Sequence, residues 1–283
     1  MKGLCKSMAH NALINGTNYS IKGGNSLFNG TGYKVSGGGV LINGTRQNIA
    51  FGTPLNNLSV GSSVYMNVGG VRTEFLIVHK GNPDASQYDS SCDGIWLLSK
   101  KCHGPSAWGS TNYETIQYAD SYIPSYLNNI LYQFDTNIRN IIKQVKIPYQ
   151  VCIGAVQTLT NGLSTKLFIL NCKEIGWYNS SDENFGGGAK LSYFDLSNFD
   201  SDKRYCEPLT ETMVDGSVVF QDSYWTRTTI YYRTYIEPYY VYSNSSCKGL
   251  LGASREQRRL RGVRYSLILP YNITVDDNMN IIA

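Results

Sequence analysis

Three stretches within the first fifty residues share one pattern of apolar and polar positions. Leu13-Ile-Asn-Gly-Thr-Asn-Tyr-Ser-Ile21 returns as Leu27-Phe-Asn-Gly-Thr-Gly-Tyr-Lys-Val35 and again as Leu41-Ile-Asn-Gly-Thr-Arg-Gln-Asn-Ile49, with a period of 14 residues. Each unit sets Asn-Gly between two β-type runs, a strong hairpin signal because a type I′ turn needs positive φ at both central positions. Gly23-Gly24 and Gly37-Gly38-Gly39 supply the return turns. The pattern predicts a three-hairpin β-meander, preceded by a short helix or flexible tip over residues 1–12. Such a meander buries little apolar area by itself, and packing on another chain would stabilise it. Residues 1–55 are therefore read as a docking or oligomerisation arm. The alternative is a β-rich extension folded against its own domain.

Thr53-Pro54-Leu-Asn-Asn-Leu-Ser59 reads as a linker, since Pro and Asn break the pattern. A larger domain follows, over residues 56–283. Residues 64–68 and 71–78 read as strands joined at Gly69-Gly70, and 94–99 as a short buried strand. Apolar residues at 123, 126, 127, 130, 131 and 134 form the stripe of an amphipathic helix. Asp135 can cap a second helix through Lys143, with Ile138, Ile141, Ile142 and Val145 inward. Residues 166–171, 224–228 and 265–269 read as further strands, with long Gly/Ser/Asn/Asp loops between, notably 179–188. Two early helices among strands, without a βαβ rhythm, indicate an α+β fold.

Composition fits this picture. Charged residues make up 16% of the 283, and polarity is carried instead by Asn, Ser, Thr, 28 Gly and 22 Tyr, which favours β-structure and contact surfaces. No apolar run approaches the roughly 20 residues a spanning helix needs, and no apolar segment follows Lys2 and Lys6 to make a secretory signal. The net charge of +4 hides an imbalance: residues 227–264 hold seven of the eleven arginines and Lys248 against Glu237 and Glu256. Such a stretch can attract anionic polymers or simply be a solvated face. The seven cysteines (5, 92, 102, 152, 172, 206 and 247) contain no Cys-x-x-Cys, and His10, His79 and His103 are not at zinc spacing. They read as structural thiols, with Cys92 and Cys102 the one pair worth checking. Neither a metal nor a cofactor is expected.

Several blocks in order then carry a resemblance. They are Val68-Gly-Gly, Phe75-Leu-Ile-Val78, Gly81-Asn-Pro83, Cys92-Asp-Gly-Ile-Trp-Leu-Leu-Ser99, Tyr126-Leu-Asn128, Ile147-Pro-Tyr149, Lys166-Leu-Phe-Ile-Leu170, Tyr224-Trp-Thr-Arg-Thr228, Gly262-Val-Arg264 and Leu267-Ile-Leu-Pro270. Together, over about 60–283, they resemble uncharacterised domains of phage and prophage proteins from gut Firmicutes. Many of those are similar to C-type-lectin-like variable proteins of diversity-generating retroelements. The resemblance implies a C-type-lectin-like fold whose C-terminal strands display a ligand-binding face. It also implies that Trp225, Arg227, Gly262 and Arg264 are structural framework around a variable segment. Tyr265 stands where Pro is commoner in such domains.

Between the framework strands, residues 224–242 hold seven tyrosines in 19 positions. Tyr, Ser, Asn and Arg dominate recognition surfaces, because Tyr offers a large rigid contact area and Arg a bidentate charge. The candidate ligand contacts are Ile230, Tyr231, Tyr232, Arg233, Tyr235, Tyr239, Tyr240, Tyr242, Asn244, Arg255, Arg258, Arg259 and Arg261. The plainer reading is that these tyrosines are one face of an ordinary hairpin covering core. Tyr, Asn, Ser, Thr and Ile are also what adenine mutagenesis of asparagine codons yields, as in those retroelements.

No Gly-x-Ser-x-Gly, P-loop or His-Glu-x-x-His is present, and His79 and His103 read as loop histidines. Asp182-Glu183 and Asp276-Asp277 are too sparse for a calcium loop. Glu237-Pro238 is followed by Tyr239 and no Trp-Asn-Asp, which argues against calcium-dependent sugar binding. The expectation is a non-enzymatic phage or prophage adhesin, made in the bacterial cytoplasm and carried on the virion as a homotrimer. Its arm would contact other virion proteins and its Tyr/Arg face a bacterial surface protein or glycan, without nucleic acid or membrane insertion. The rival is a structural decoration or baseplate component whose tyrosines make subunit contacts.

Overall fold

The computed structural model describes the strands within residues 9–50. It then describes residues 52–151, 156–177, 187–194, 201–207, 209–212, 218–221, 223–232, 234–243 and 249–282. The chain divides into two compact units, Met1–Gly52 and Thr53–Ala283.

In the first unit Ile14 pairs with Thr17, Phe28 with Thr31 and Ile42 with Thr45, each pair flanking one Asn-Gly dipeptide. The dipeptides themselves, and residues 1–8, lie outside the described residues. Among the described residues each hairpin is its own two-stranded sheet, and no ladder joins one to the next. The continuous meander expected from the repeat is thus replaced by three separate ribbons.

The second unit is built on two five-stranded sheets with few helices, a mixed and mostly β architecture. In the first sheet the order is Phe168–Ile169, Tyr265–Leu269, Ile95–Ser99, Val71–Lys80 and Ser63–Val68, antiparallel throughout. Gly69 and Gly70, at φ +60° and +81°, make the tight turn between the last two strands. Ile95–Ser99 and Tyr265–Leu269 are buried along their whole length, which is why both read as unbroken apolar runs. Gly94 is required where it stands, because a Cβ there would lie 2.6 Å from Leu269 O and 2.7 Å from Ile268 Cγ2.

Helix α1 (Tyr122–Leu131) buries Ile123, Leu127 and Ile130. Ser121 caps it, its hydroxyl accepting from Ile123 N at 3.3 Å. Pro124 falls within the first turn, where no helical N–H is needed. Phe134, just beyond α1, meets Phe75 and Tyr265 at 6.3 Å and seats the helix on the first sheet. Helix α2 (Thr136–Ile141) follows Asp135, whose side chain does not make the expected cap bond; the helix stops short of Lys143.

Residues 53–59 form no linker. Thr53–Pro54 pairs with Thr274–Val275, which also pairs with Ile281–Ile282, and Leu55 is fully buried. Pro54 is tolerated because the strand is two residues long and lies at the sheet edge. No helix among the described residues is long and apolar enough to cross a membrane.

Candidate functional site

The second sheet runs Pro105–Ser106, Arg261–Gly262, Ser223–Tyr232, Tyr235–Tyr242 and Leu251–Ala253. Its centre is the hairpin of Ser223–Tyr232 and Tyr235–Tyr242, with Trp225 opposite Tyr240 and Tyr232 opposite Tyr235. The register shifts between Trp225 and Thr229, so residues 226–228 bulge into the interior. There Thr226 Oγ1 donates to Tyr239 O at 3.1 Å, Arg227 N to Leu170 O at 3.1 Å, and Cys172 N to Thr228 Oγ1 at 2.8 Å.

The bulge puts Arg227 in the core. Arg227 Nε donates to Pro148 O at 3.0 Å, and Nη1 donates to Ile169 O and to Glu174 Oε2, both at 2.7 Å. Its Nη2 completes a bidentate pair with Glu174 Oε1, which also accepts from Tyr88 Oη at 2.6 Å. Burial, then the Glu174 charge, push the Tyr88 phenol well above its ordinary value. Trp225 packs 5.7 Å from Trp108 and donates to Ser106 O at 2.8 Å. Arg264 gathers Ser99 O at 2.9 Å and Arg204 O at 3.1 Å, and Gly262 pairs with both Pro105 and Tyr224.

Alternation along the second hairpin strand divides its tyrosines between two faces. Ile236, Pro238 and Tyr240 are buried, whereas Tyr235, Glu237 and Tyr239 are half-exposed. Ile230 lies opposite Glu237, on that same outer face. The outer face meets the 109–114 loop and the 253–258 segment. Tyr113, 56% exposed, stands edge-on to Tyr235 at 5.2 Å, with the Arg255 guanidinium 6.0 Å over its ring. A hydrogen bond with Tyr113, and then the phenols of Tyr235 and Tyr113, raise the Arg255 pKa further. Tyr113 adopts φ +63°, a conformation rare for a bulky residue. Beneath it, fully buried Gln257 donates to Glu114 O and Ile236 O, both at 2.8 Å, and ties the three segments together.

The structure corrects several expected contacts. Arg261 is 2% exposed, with its guanidinium in the corner made by the perpendicular rings of Tyr240 (3.4 Å) and Trp225 (5.0 Å) and a hydrogen bond to Ser223 Oγ. Tyr240 is buried with it, its phenol pushed up to about 12 by burial and by a 2.8 Å hydrogen bond with Tyr242. Tyr242 packs against the core. Arg261 and Tyr240 support the hairpin and do not offer a ligand surface, whereas Tyr242 stays half-exposed. Tyr231 is 38% exposed but lies opposite Ile236, on the inner face. Arg258 and Arg259 are exposed, Arg259 beside Glu256 at 3.7 Å. Arg233 and Asn244 lie outside the described residues, as does the side chain of Tyr232. With Arg227, Arg261 and Arg264 enclosed, the basic stretch presents a smaller charged surface than its sequence suggests. Tyr113 was not found from sequence; its only signal is an aromatic residue set among turn-forming Gly109, Ser110 and Asn112.

A family model described as Domain of unknown function (DUF6273) matches residues 93–271, more than half of the chain. The chain belongs to the DUF6273 family. No curated protein and no solved structure matches it. The DUF6273 span covers the whole tyrosine hairpin, the 109–114 loop and Gln257. It omits Ser63–Val68 and Val71–Lys80, the two strands that complete the first sheet.

Titratable groups elsewhere in the second unit are held structurally. His79 Nδ1 accepts from Ser192 N at 3.3 Å and meets Ser192 Oγ at 2.7 Å; burial lowers its pKa. Burial also lowers that of His103, which stacks edge-on with Tyr126 and Tyr265. Asp276 accepts from Asn278 N and Asn280 N at 2.9 and 2.8 Å, which explains the Asp276-Asp277 pair as turn chemistry. Asp182-Glu183 lies outside the described residues. Among the described residues no three His, Cys, Asp or Glu side chains gather as metal ligands.

Proposed function

We propose that this DUF6273 protein is a phage or prophage receptor-binding adhesin. In this reading the second unit is a C-type-lectin-like domain, and its ligand surface is the outer face of the tyrosine hairpin. The observation that carries the reading is the Tyr113–Tyr235–Arg255 cluster, exposed and half-exposed aromatic and cationic groups on backbone segments tied together by the buried Gln257. Aromatic rings beside a guanidinium can stack on a sugar or peptide plane and pair with a carboxylate, and tyrosine has few rotamers to freeze. Glu237 on the same face adds a hydrogen-bond acceptor. The N-terminal hairpins dock the protein on the virion as a homotrimer, and several weak sites on one particle gain avidity through effective concentration.

The test is pull-down of the protein on a panel of gut Firmicute cells beside the variant Tyr113→Ala/Tyr235→Ala/Arg255→Ala, with the fold of both checked by circular dichroism. Binding by the parent alone supports the reading. Equal binding places the ligand elsewhere. Absence of binding by an assembled parent favours a structural virion component, in which the same cluster makes a subunit contact. Loss of residues 1–52 without effect on particle incorporation would remove the arm from the proposal.

A further inference from the structure

Cys102 and Cys206, distant in sequence, are brought together with their sulfurs 3.5 Å apart, where the chain just past the Ile95–Ser99 strand meets the 201–207 segment. The segment carrying Cys206 is firmly held. Arg264 Nη1 donates to Arg204 O and Tyr205 O at 3.1 and 3.3 Å, Tyr224 Oη donates to Arg204 O, and Lys101 pairs with Glu207 at 2.8 Å. The two sulfurs differ in access: Cys206 is buried, whereas Cys102 is half-exposed and lines a cleft of about 530 Å³ with Lys100, Lys101 and His103.

We infer that Cys102 and Cys206 form a thiol–disulfide exchange site that takes a low-molecular-weight disulfide and closes into an intramolecular disulfide. Exchange begins at the accessible sulfur. Cys206 starts as the thiolate, its proton already in solvent; Cys102 passes its own proton to that thiolate and attacks one sulfur of the small disulfide, whose S–S bond breaks and releases one small thiolate. Cys206 gives up its proton to that thiolate and attacks the Cys102 sulfur of the mixed disulfide. The second small thiolate leaves and takes the proton originally on Cys206 from solvent. Two protein thiols are oxidised, one small disulfide is reduced to two thiols, and the protons balance.

Three features suit the pair to this step. The sulfurs are in contact, needing to close by about 1.5 Å to reach a bonding distance of about 2.0 Å. The Cys102 S–H and the Arg264 guanidinium stabilise a Cys206 thiolate, drawing that thiol down to about 7, while the same hydrogen bond and then burial push the Cys102 thiol well above its ordinary value, so Cys206 is the base to which Cys102 gives its proton. Glu207 opposes this shift, and the Tyr224 hydroxyl, which accepts from Arg264, lies near enough to both cysteines to feel their charge. The other described cysteines contrast with the pair. Cys92 donates to Lys146 O at 3.2 Å with its thiol pushed up to about 12, and Cys172 lies beside Thr226 with its thiol pushed up to about 11, both by burial. This also corrects the expected partner of Cys102, which is Cys206 and not Cys92.

The experiment treats the folded full chain with oxidised glutathione, alkylates the remaining thiols, and maps peptides by mass spectrometry. The expected result is a Cys102–Cys206 cross-linked peptide that dithiothreitol reverses, with Cys92 and Cys172 still alkylated. In Cys206→Ser, exchange stops at a stable glutathione adduct on Cys102. Recovery of Cys102 and Cys206 as alkylated thiols from the oxidised parent overturns the proposal. So does a persistent glutathione adduct on either residue in the parent, which requires no variant to fold.

Discussion

The guanidinium carbon of Arg261 lies 3.4 Å from the centre of the Tyr240 ring, and the Trp225 ring flanks it at 5.0 Å. A buried cation set against two rings that stand perpendicular to each other is attracted by both quadrupoles and covers apolar surface with its stem. Arg261→Ala should therefore lower stability by about 2 kcal/mol. Arg261→Lys should recover only part of this, because an ammonium group lacks the planar stacking surface. Urea unfolding of the three proteins measures both; equal stabilities would mean that the stack is geometric only.

Arg227 and Glu174 are a pair from which water is excluded. Removing one partner leaves a buried charge, so Glu174→Gln or Arg227→Met alone should cost about 3–5 kcal/mol. The double variant should be less damaged than the sum of the two, and a double-mutant cycle by chemical denaturation yields the coupling directly.

At Gly94 the constraint is steric. Gly94→Ala should cost about 1–3 kcal/mol, because both nearest obstacles belong to the adjoining strand of the sheet. The melting temperature reads this without interference from the hairpin region.

His79 and His103 are both held below the ordinary histidine value of about 6.5 by burial. Below that value the unfolded chain binds protons that the folded chain refuses, so stability is fully present above it and falls as pH drops toward the folded-state values. The melting temperature should decline through this window, and His79→Gln should flatten the decline. An unchanged slope in that variant would assign the effect to other groups.

Much of the framework was legible in sequence because local pattern and burial agree there. The Val71–Lys80 hairpin, the α1 stripe and the apolar runs at 95–99 and 265–269 all emerge close to their predicted bounds. The candidate surface was less so. An arginine in a basic cluster reads as solvated, yet Arg261 is enclosed because Tyr240 and Trp225 converge on it across two strands. The bulge at 226–228 is set by partners at 170–172, more than fifty residues away. Tyr113 joins Tyr235 only through tertiary contact. Cys102 and Cys206 meet for the same reason, and no spacing rule anticipates such a pair.

The pairing of Thr53–Pro54 with Thr274–Val275 has an engineering consequence. Thr53–Pro54 and Ile281–Ile282 flank Thr274–Val275 as the two outer strands of one small sheet, so the second unit has these two leads one strand apart. It can be spliced into a surface loop of a host protein without prising its ends apart, and a short peptide joining those leads should allow new termini to be opened elsewhere.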